Sequence, residues 1–484
     1  MNIIDLFSLS FIDRKDKIAL EFGGTQITFH ELHIRSNQMG HVLTAKALQT
    51  GDRLALYLEN SLEFVDIYLA CLKLGIIIVP INILYKEREI THIMNDATPK
   101  GIIAFNDIEG LTIWNAKVLA DEAKSQPKDL AQCKATGDSP AAIIYTSGTT
   151  GTSKGAVLSH NNFIANAINL NTCWKITETD RLLIGLPLFH VHGLANGMHC
   201  AFIAGATTRL LPRFEHQKIK DECEDFKPTV FYGVPTVYVR LLEKTNEEAL
   251  SISSTMRLFV SGSAPLPPQV LDAFREKYGH TILERYGMTE TLMNISNPYV
   301  GERRAGTVGF PLPGTSVKII TPEGKEAGVD EEGEIHIKGP NVFSQYWNRP
   351  DATLASFENG YFKTGDMAVV SEDGYYTLRG RKSELIISGG FNIYPREIEE
   401  FLMEQDGIKE AAVIGIADKV RGELPVAFIV TDGNLDESVL EEKCKQSLAS
   451  FKVPRKFISV EVLPRTALGK VQKHLLAKEY SSHT

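Results

Sequence analysis

The stretch YTSGTTGTSKG, residues 145–155, packs three glycines, four threonines, two serines and a single lysine into eleven positions. It follows the β-like run AAIIY (141–145) and precedes another, AVLSH (156–160). Strand, loop, strand predicts a hairpin with a tip almost free of side-chain bulk. Glycine lets backbone N–H groups turn toward one point, and converging N–H groups attract an anion. The hydroxyls of Thr146, Ser147, Thr149 and Thr150 add donors, and Lys154 adds a mobile cation. A polyphosphate is the expected guest.

Two other loops share parts of this composition. A P-loop needs Gly-Lys-Ser/Thr opening a helix. Here Lys154 follows Ser153 and precedes Gly155, so that pattern fails. Gly151 to Gly155 satisfies G-x-S-x-G literally, but a nucleophile elbow runs from strand directly into helix. Ser153 is followed by β-like sequence instead.

The 484 residues are enough for two to three domains with a large core. Net charge is −9, which argues against a nucleic-acid partner, whose binders are usually basic. The six cysteines, Cys71, Cys133, Cys173, Cys200, Cys223 and Cys444, form no C-x-x-C pair. That spacing suggests neither a zinc site nor a disulfide framework, and it fits a reducing, cytoplasmic setting. The N-terminus carries an early Asp5 and no basic leader region, so it does not read as a secretory signal. The longest apolar run, GIIIVPINIL (75–84), is too short to span a bilayer.

Further along stand LERYGMTE (283–290), YFKTGD (361–366), RGRKSELIISGGFNIYPREIE (379–399) and PRTALGKVQK (464–473). With the opening loop, these five segments in this order resemble the adenylate-forming superfamily of acyl-CoA synthetases, luciferases and peptide-synthetase adenylation domains. The likeness covers nearly the whole chain. The versions SGSAPL (261–266), LERYGMTET, MNISNPY (293–299) and SGGFNIYPREIE resemble those of the malonate-activating branch.

The fold class expected is α/β. A large N-terminal domain, 1–380, would hold layered α/β subdomains and a small β-rich subdomain over 311–380. A small, mobile α+β C-terminal domain would follow at 381–484. Helical periodicity in residues 29–46 and β-like runs at DRLALYL, GIIIVPI, RLLIGLP, TTRLLP, VFYGVP and MRLFVSGSAP carry the layering. Residues 106–139 are polar and irregular and read as a tether. Turn signals at PEGKE (322–326) and EDGYY (372–376) mark the β-rich part.

The resemblance implies ATP, Mg²⁺ and coenzyme A as partners of a carboxylic acid. The acid would attack the α-phosphate of ATP, and the acyl-adenylate would then pass its acyl group to a thiol. Such chemistry needs alignment and charge neutralisation rather than an enzyme nucleophile. For the phosphates the resemblance implies Thr146, Ser147, Gly148, Thr149, Thr150, Gly151 and Lys154. For the nucleotide it implies Ser263, Ala264, Pro265, Glu284, Arg285, Tyr286, Gly287 and Met288, with Tyr286 against adenine. Thr289 would meet the α-phosphate, and Glu290 would offer Mg²⁺ a hard oxygen. Asp366 and Arg381 would hold the ribose, and Lys470 would bridge carboxylate and phosphate.

His190, in LFHVHG (188–193), would line the acyl side. The i, i+2 spacing to His192, with no third ligand nearby, argues against a metal pair. Ser388, Gly389 and Gly390 resemble the glycines beside the pantetheine of CoA, and Arg421 and Lys452 are candidates for its phosphates. In much of the family a hinge residue stands two positions after the arginine that Arg381 matches. Here that residue is Ser383, so the hinge is left between Lys382 and Ser383.

Arg285 stands inside the acyl-site motif, followed by Asn294, Ser296 and Asn297 where a fatty-acid site would have an apolar lining. Arg240, in VPTVYVRLL (234–242), is a second inward candidate. A buried arginine wants a carboxylate partner. The expected acid is therefore a short dicarboxylate, with malonate first and a medium- or long-chain fatty acid as the alternative.

Overall fold

The structure is a computed structural model. It describes residues 2–131, 135–146, 153–388, 391–418, 421–433, 436–448, 450–466 and 469–483. Among these the strands assemble into four sheets. Two large sheets face each other across helices. One runs from Gln345–Tyr346 through Lys154–Ser159, Pro140–Thr146, Ile77–Pro80, Arg53–Tyr57 and Gly101–Ala104 to Ile113–Asn115. The other contains Leu292–Ser296, Leu283–Met288, Leu258–Ser261, Val230–Gly233, Arg181–Ile184, Thr207–Leu210 and Ile18–Phe22 in that spatial order.

The helix Leu62–Leu74 shows why these layers form. It is capped by the Ser61 hydroxyl, which accepts from Phe64 N–H at 3.2 Å. Every residue from Phe64 to Lys73 is buried. A helix apolar nearly all round must be covered on all sides, and the helices Phe29–Ala45, Ile3–Asp13 and Ala116–Ala123 with the strand Ile77–Pro80 supply that cover. One large hydrophobic cluster joins both sheets, from Leu54 and Ile78 to Leu182 and Phe259, and a second covers the other face of the first sheet at Ala55, Val79 and Ile143.

A third, antiparallel sheet contains Ser316–Ile320, Gly333–Lys338, Tyr361–Val370 and Tyr376–Arg381. The last sheet, after Arg381, contains Ile386–Ser388, Phe391–Ile393, Ile408–Asp418, Gly422–Thr431 and Lys456–Ser459. It packs on the helices Pro395–Met403 and Glu437–Ser447 around its own core of Ile398, Leu402, Val413 and Ala427. A large N-terminal α/β domain and a small C-terminal α+β domain are thus both present.

Residues 106–139 are not a plain tether. Ile113–Asn115 adds a parallel edge strand beside Gly101–Ala104, and Ala116–Ala123 is a helix capped by Asn115. Three strand residues are too few to display a period, and the helix buries only Ala116, Leu119 and Ala123. No helix among the described residues is long and apolar enough to cross a membrane.

Candidate functional site

The glycine-rich segment is a hairpin. Pro140–Thr146 pairs antiparallel with Lys154–Ser159, with Thr146 opposite Lys154. Gly155 is required there, because a Cβ would fall 2.6 Å from Ile143 Cγ2. His92 Nε2 lies 2.9 Å from the Ser153 carbonyl and braces one shoulder of the loop. Ser153 precedes a strand, so no elbow forms. Lys154 Nζ sits 4.6 Å from the Tyr346 ring centroid. Ser147, Gly148, Thr149, Thr150 and Gly151, like Gly389 and Gly390, lie outside the described residues.

Leu283–Met288 runs parallel to Leu258–Ser261 on one side and turns back tightly into Leu292–Ser296 on the other. A Cβ at Gly287 would lie 2.0 Å from the Leu292 carbonyl oxygen, so only glycine allows this turn. Thr289 and Glu290 form its tip and are both buried. Phe343 N–H donates to the Glu290 carbonyl at 2.7 Å. The Glu290 carboxylate accepts from Tyr346 O–H at 3.0 Å and from Thr146 O–H at 3.4 Å. The turn and the hairpin therefore meet at one carboxylate, and burial raises its pKa.

Asp366 is the second convergence. One of its oxygens accepts from Tyr286 O–H at 2.6 Å, and the other pairs with Arg381 Nε at 2.5 Å. Arg381 is opposite Asp366 across two antiparallel strands, and that charge raises its pKa. Lys470 approaches the same group from the C-terminal domain. It keeps solvent contact, yet surrounding protein desolvates its ammonium and, with Arg381 nearby, lowers its pKa. Glu384 and Asp366 pull the other way. Gly469, at φ +80°, lies against Thr236, where a Cβ would be 3.1 Å from Oγ1. The tail motif is therefore docked on the helix Pro235–Leu242 of the large domain.

The third feature is a buried polar pocket. Arg285 is 5% exposed, and its Nε and Nη2 have no hydrogen-bond partner. Burial lowers its pKa to about 10. Around it are more unpartnered polar atoms: Tyr232 Oη and His192 Nε2. His192 Nδ1 is 3.1 Å from Ser263 Oγ, and Ser263 holds a left-handed φ of +72°. His190 Nδ1 accepts from His192 N–H at 3.2 Å. Burial, then the Arg285 charge, lowers the His190 pKa to about 4, which makes its imidazole neutral near pH 7. Unpaired buried donors are costly, so a cluster of them signals a ligand that satisfies them.

Glu284 points away from this pocket. Its Oε1 accepts from Leu266 N–H at 2.9 Å and braces the turn holding Ser263, Ala264 and Pro265. Arg240 is a correction: it is solvent-exposed rather than inward. On its helix Val237, Tyr238 and Leu241 are buried, which turns residue 240 outward. Ser388 is buried with an unpartnered hydroxyl. Lys452 donates to both Glu397 oxygens at 2.7 Å, and Arg421 is exposed. Among the described residues no group of three His, Cys, Asp or Glu side chains could cage a metal ion. Glu290 alone suits Mg²⁺, which takes one or two carboxylates and completes its shell with phosphate and water.

Tyr232, His192 and Tyr346 were not singled out for these positions from sequence. Only Tyr232 carried a signal, a polar group within an otherwise apolar strand.

The sequence profile of the AMP-binding enzyme family matches residues 12–347, and that of the AMP-binding enzyme C-terminal domain matches 397–470. A malonate–CoA ligase from Arabidopsis thaliana is 38% identical, over 88% of this chain and 78% of that protein. A long-chain-fatty-acid–CoA ligase from Bacillus subtilis is 33% identical, over 97% of this chain and 93% of its own. The crystal structure of ATP-bound MatB from Rhodopseudomonas palustris superposes with a TM-score of 0.94 at 39% identity, covering 100% of both chains. The apo form of MatB superposes at 0.82 with the same identity and coverage.

Proposed function

We propose that this chain, which belongs to the AMP-binding enzyme family, is an ATP-dependent ligase joining malonate to coenzyme A. The observation that carries this reading is Arg285, a buried guanidinium with two unpartnered nitrogens. A monocarboxylic chain would leave it uncompensated, whereas the second carboxylate of malonate would pair with it. The name of the Arabidopsis relative supports the same choice.

In the first step one malonate carboxylate oxygen bonds to the α-phosphorus of ATP, and pyrophosphate leaves. Asp366 accepts from the ribose hydroxyls and Arg381 holds Asp366 in place. Tyr286 lies beneath the adenosine, its hydroxyl fixed on Asp366. Thr146 to Gly151 and Lys154 receive the outer phosphates, and Thr289 donates to the α-phosphate. Glu290 would hold Mg²⁺, which offsets phosphate charge. Lys470 neutralises charge developing between the two reacting groups. The neutral His190 keeps the acyl side dry without adding a second cation beside Arg285. In the second step the CoA thiolate attacks the acyl carbon and AMP leaves.

These roles divide between a domain of 1–380 and a mobile one of 381–484. Lys470 docked near Asp366, together with the closer fit to ATP-bound than to apo MatB, supports this orientation as that of the first step. For the second, the small domain rotates to bring Ser388, Gly389 and Gly390 to the thiol. We assign the protein to the cytoplasm; among the described residues Cys71, Cys173, Cys200, Cys223 and Cys444 are unpaired, as a reducing compartment allows.

The direct test is isotope exchange between pyrophosphate and ATP without CoA. Exchange that requires malonate supports the proposal; exchange indifferent to malonate yet driven by octanoate would replace it with the fatty-acid reading.

A hinge variant separates the two steps. Lys382 pairs with Glu334 at 2.9 Å, and Lys382–Glu384 is a short 3-10 turn closed by Leu385 N–H on the Lys382 carbonyl at 3.4 Å. Proline at 383 leaves that bond intact while fixing φ near about −65°. Ser383→Pro is expected to retain pyrophosphate exchange and to lose thioester formation. Full turnover in that variant would assign the hinge elsewhere.

A further inference from the structure

We infer that Trp174, pinned by Ser296, is the wall that limits the length of acid the Arg285 pocket accepts. The inference rests on the short-dicarboxylate reading and adds the residue that enforces it.

Trp174 follows the helix His160–Cys173 and is 0% exposed. Both ends of the residue are fixed. Its carbonyl accepts from Arg257 Nη1 at 3.0 Å, and its indole Nε1 donates to Ser296 Oγ at 3.0 Å. Ser296 in turn donates to the Asn297 carbonyl at 2.8 Å.

On its inner side this pair borders the polar pocket. Ser296 is directly opposite Arg285 across the antiparallel strands. Opposed residues project from the same face with Cβ atoms about 4.5–5.5 Å apart. The Trp174 ring centroid is 6.2 Å from that of Tyr232, whose hydroxyl is one of the unpartnered groups.

On its outer side lies an open groove of about 410 Å³. Ser296 lines it, as do Cys173 and Lys175, the neighbours of Trp174 in the chain. Its far lining is mostly apolar, with Pro298, Tyr299 and Phe310. Ser296 thus lines the groove while standing opposite Arg285, and the indole it holds lies between the two. Without the indole the pocket would continue into a channel suited to a methylene chain.

The test compares the wild type with Trp174→Ala and Trp174→Leu on malonate and octanoate, reading kcat/KM for thioester formation and thermal unfolding. The octanoate-to-malonate ratio is expected to rise at least about tenfold in Trp174→Ala, the lower end of what one methylene's fit can discriminate. A smaller rise is expected in Trp174→Leu, which also serves if the alanine variant does not fold. A tryptophan important only for packing would lower both activities together and leave the ratio unchanged, which would overturn the inference while the wild type's malonate preference stood. A wild type that already prefers octanoate would count against the malonate reading and, with no wall to open, against this inference too.

Discussion

Arg285→Ala is expected to lower kcat/KM for malonate on the order of 30- to 3,000-fold. The guanidinium is desolvated in the free protein, with Nε and Nη2 unpartnered, so the cost of its burial is already met before substrate arrives. Truncating one side of a buried charge pair typically costs about 2–5 kcal/mol, and about 1.4 kcal/mol is a factor of ten. Lysine would not substitute, because only the planar fork of arginine can engage a carboxylate through two parallel bonds. Butyrate should behave oppositely: poor with the wild type and equal or better with the variant. Steady-state kinetics on both acids checks this. Loss on both acids alike would make Arg285 a structural part of its strand.

Lys470→Ala is expected to lose roughly 10²–10³ in the rate of adenylation, the usual cost of removing one preorganised group that stabilises developing charge. Its ammonium sits near Asp366, Arg381 and Glu384 in this orientation, where the reacting carboxylate and phosphate would meet. Thioester formation from supplied malonyl-adenylate should be nearly untouched, since the small domain has by then turned Lys470 away. Pyrophosphate exchange and single-turnover thioester formation measure the halves separately. Equal damage to both would mean that Lys470 supports the domain rather than the phosphoryl transfer.

Much of the fold was legible because its signals are local. The hairpin at Thr146 and Lys154 announces itself through two β-like runs around glycine, and the tight turn after Gly287 through a motif. The edge strand Ile113–Asn115 was hidden by its brevity and polar surroundings. Arg240 was misjudged although the periodicity of Val237, Tyr238 and Leu241 already turned it outward. The acid pocket was only partly legible. Arg285 could be read from its motif, but Tyr232 and Ser296 come from separate strands. Their meeting depends on the order of strands in the sheet, Leu292–Ser296 beside Leu283–Met288, then Leu258–Ser261, then Val230–Gly233. Pairwise sequence spacing does not encode that order. Tyr346 reaches Glu290 across two different sheets, and no local pattern marks it.

The most direct test of the central claim is a competition assay. Purified protein, ATP, Mg²⁺ and limiting CoA are offered an equimolar mixture of acetate, malonate, succinate, butyrate and octanoate, and the thioesters are counted by mass spectrometry. A buried, unpaired Arg285 predicts malonyl-CoA as the dominant product, with butyryl- and octanoyl-CoA at trace level. Dominant octanoyl-CoA would contradict it.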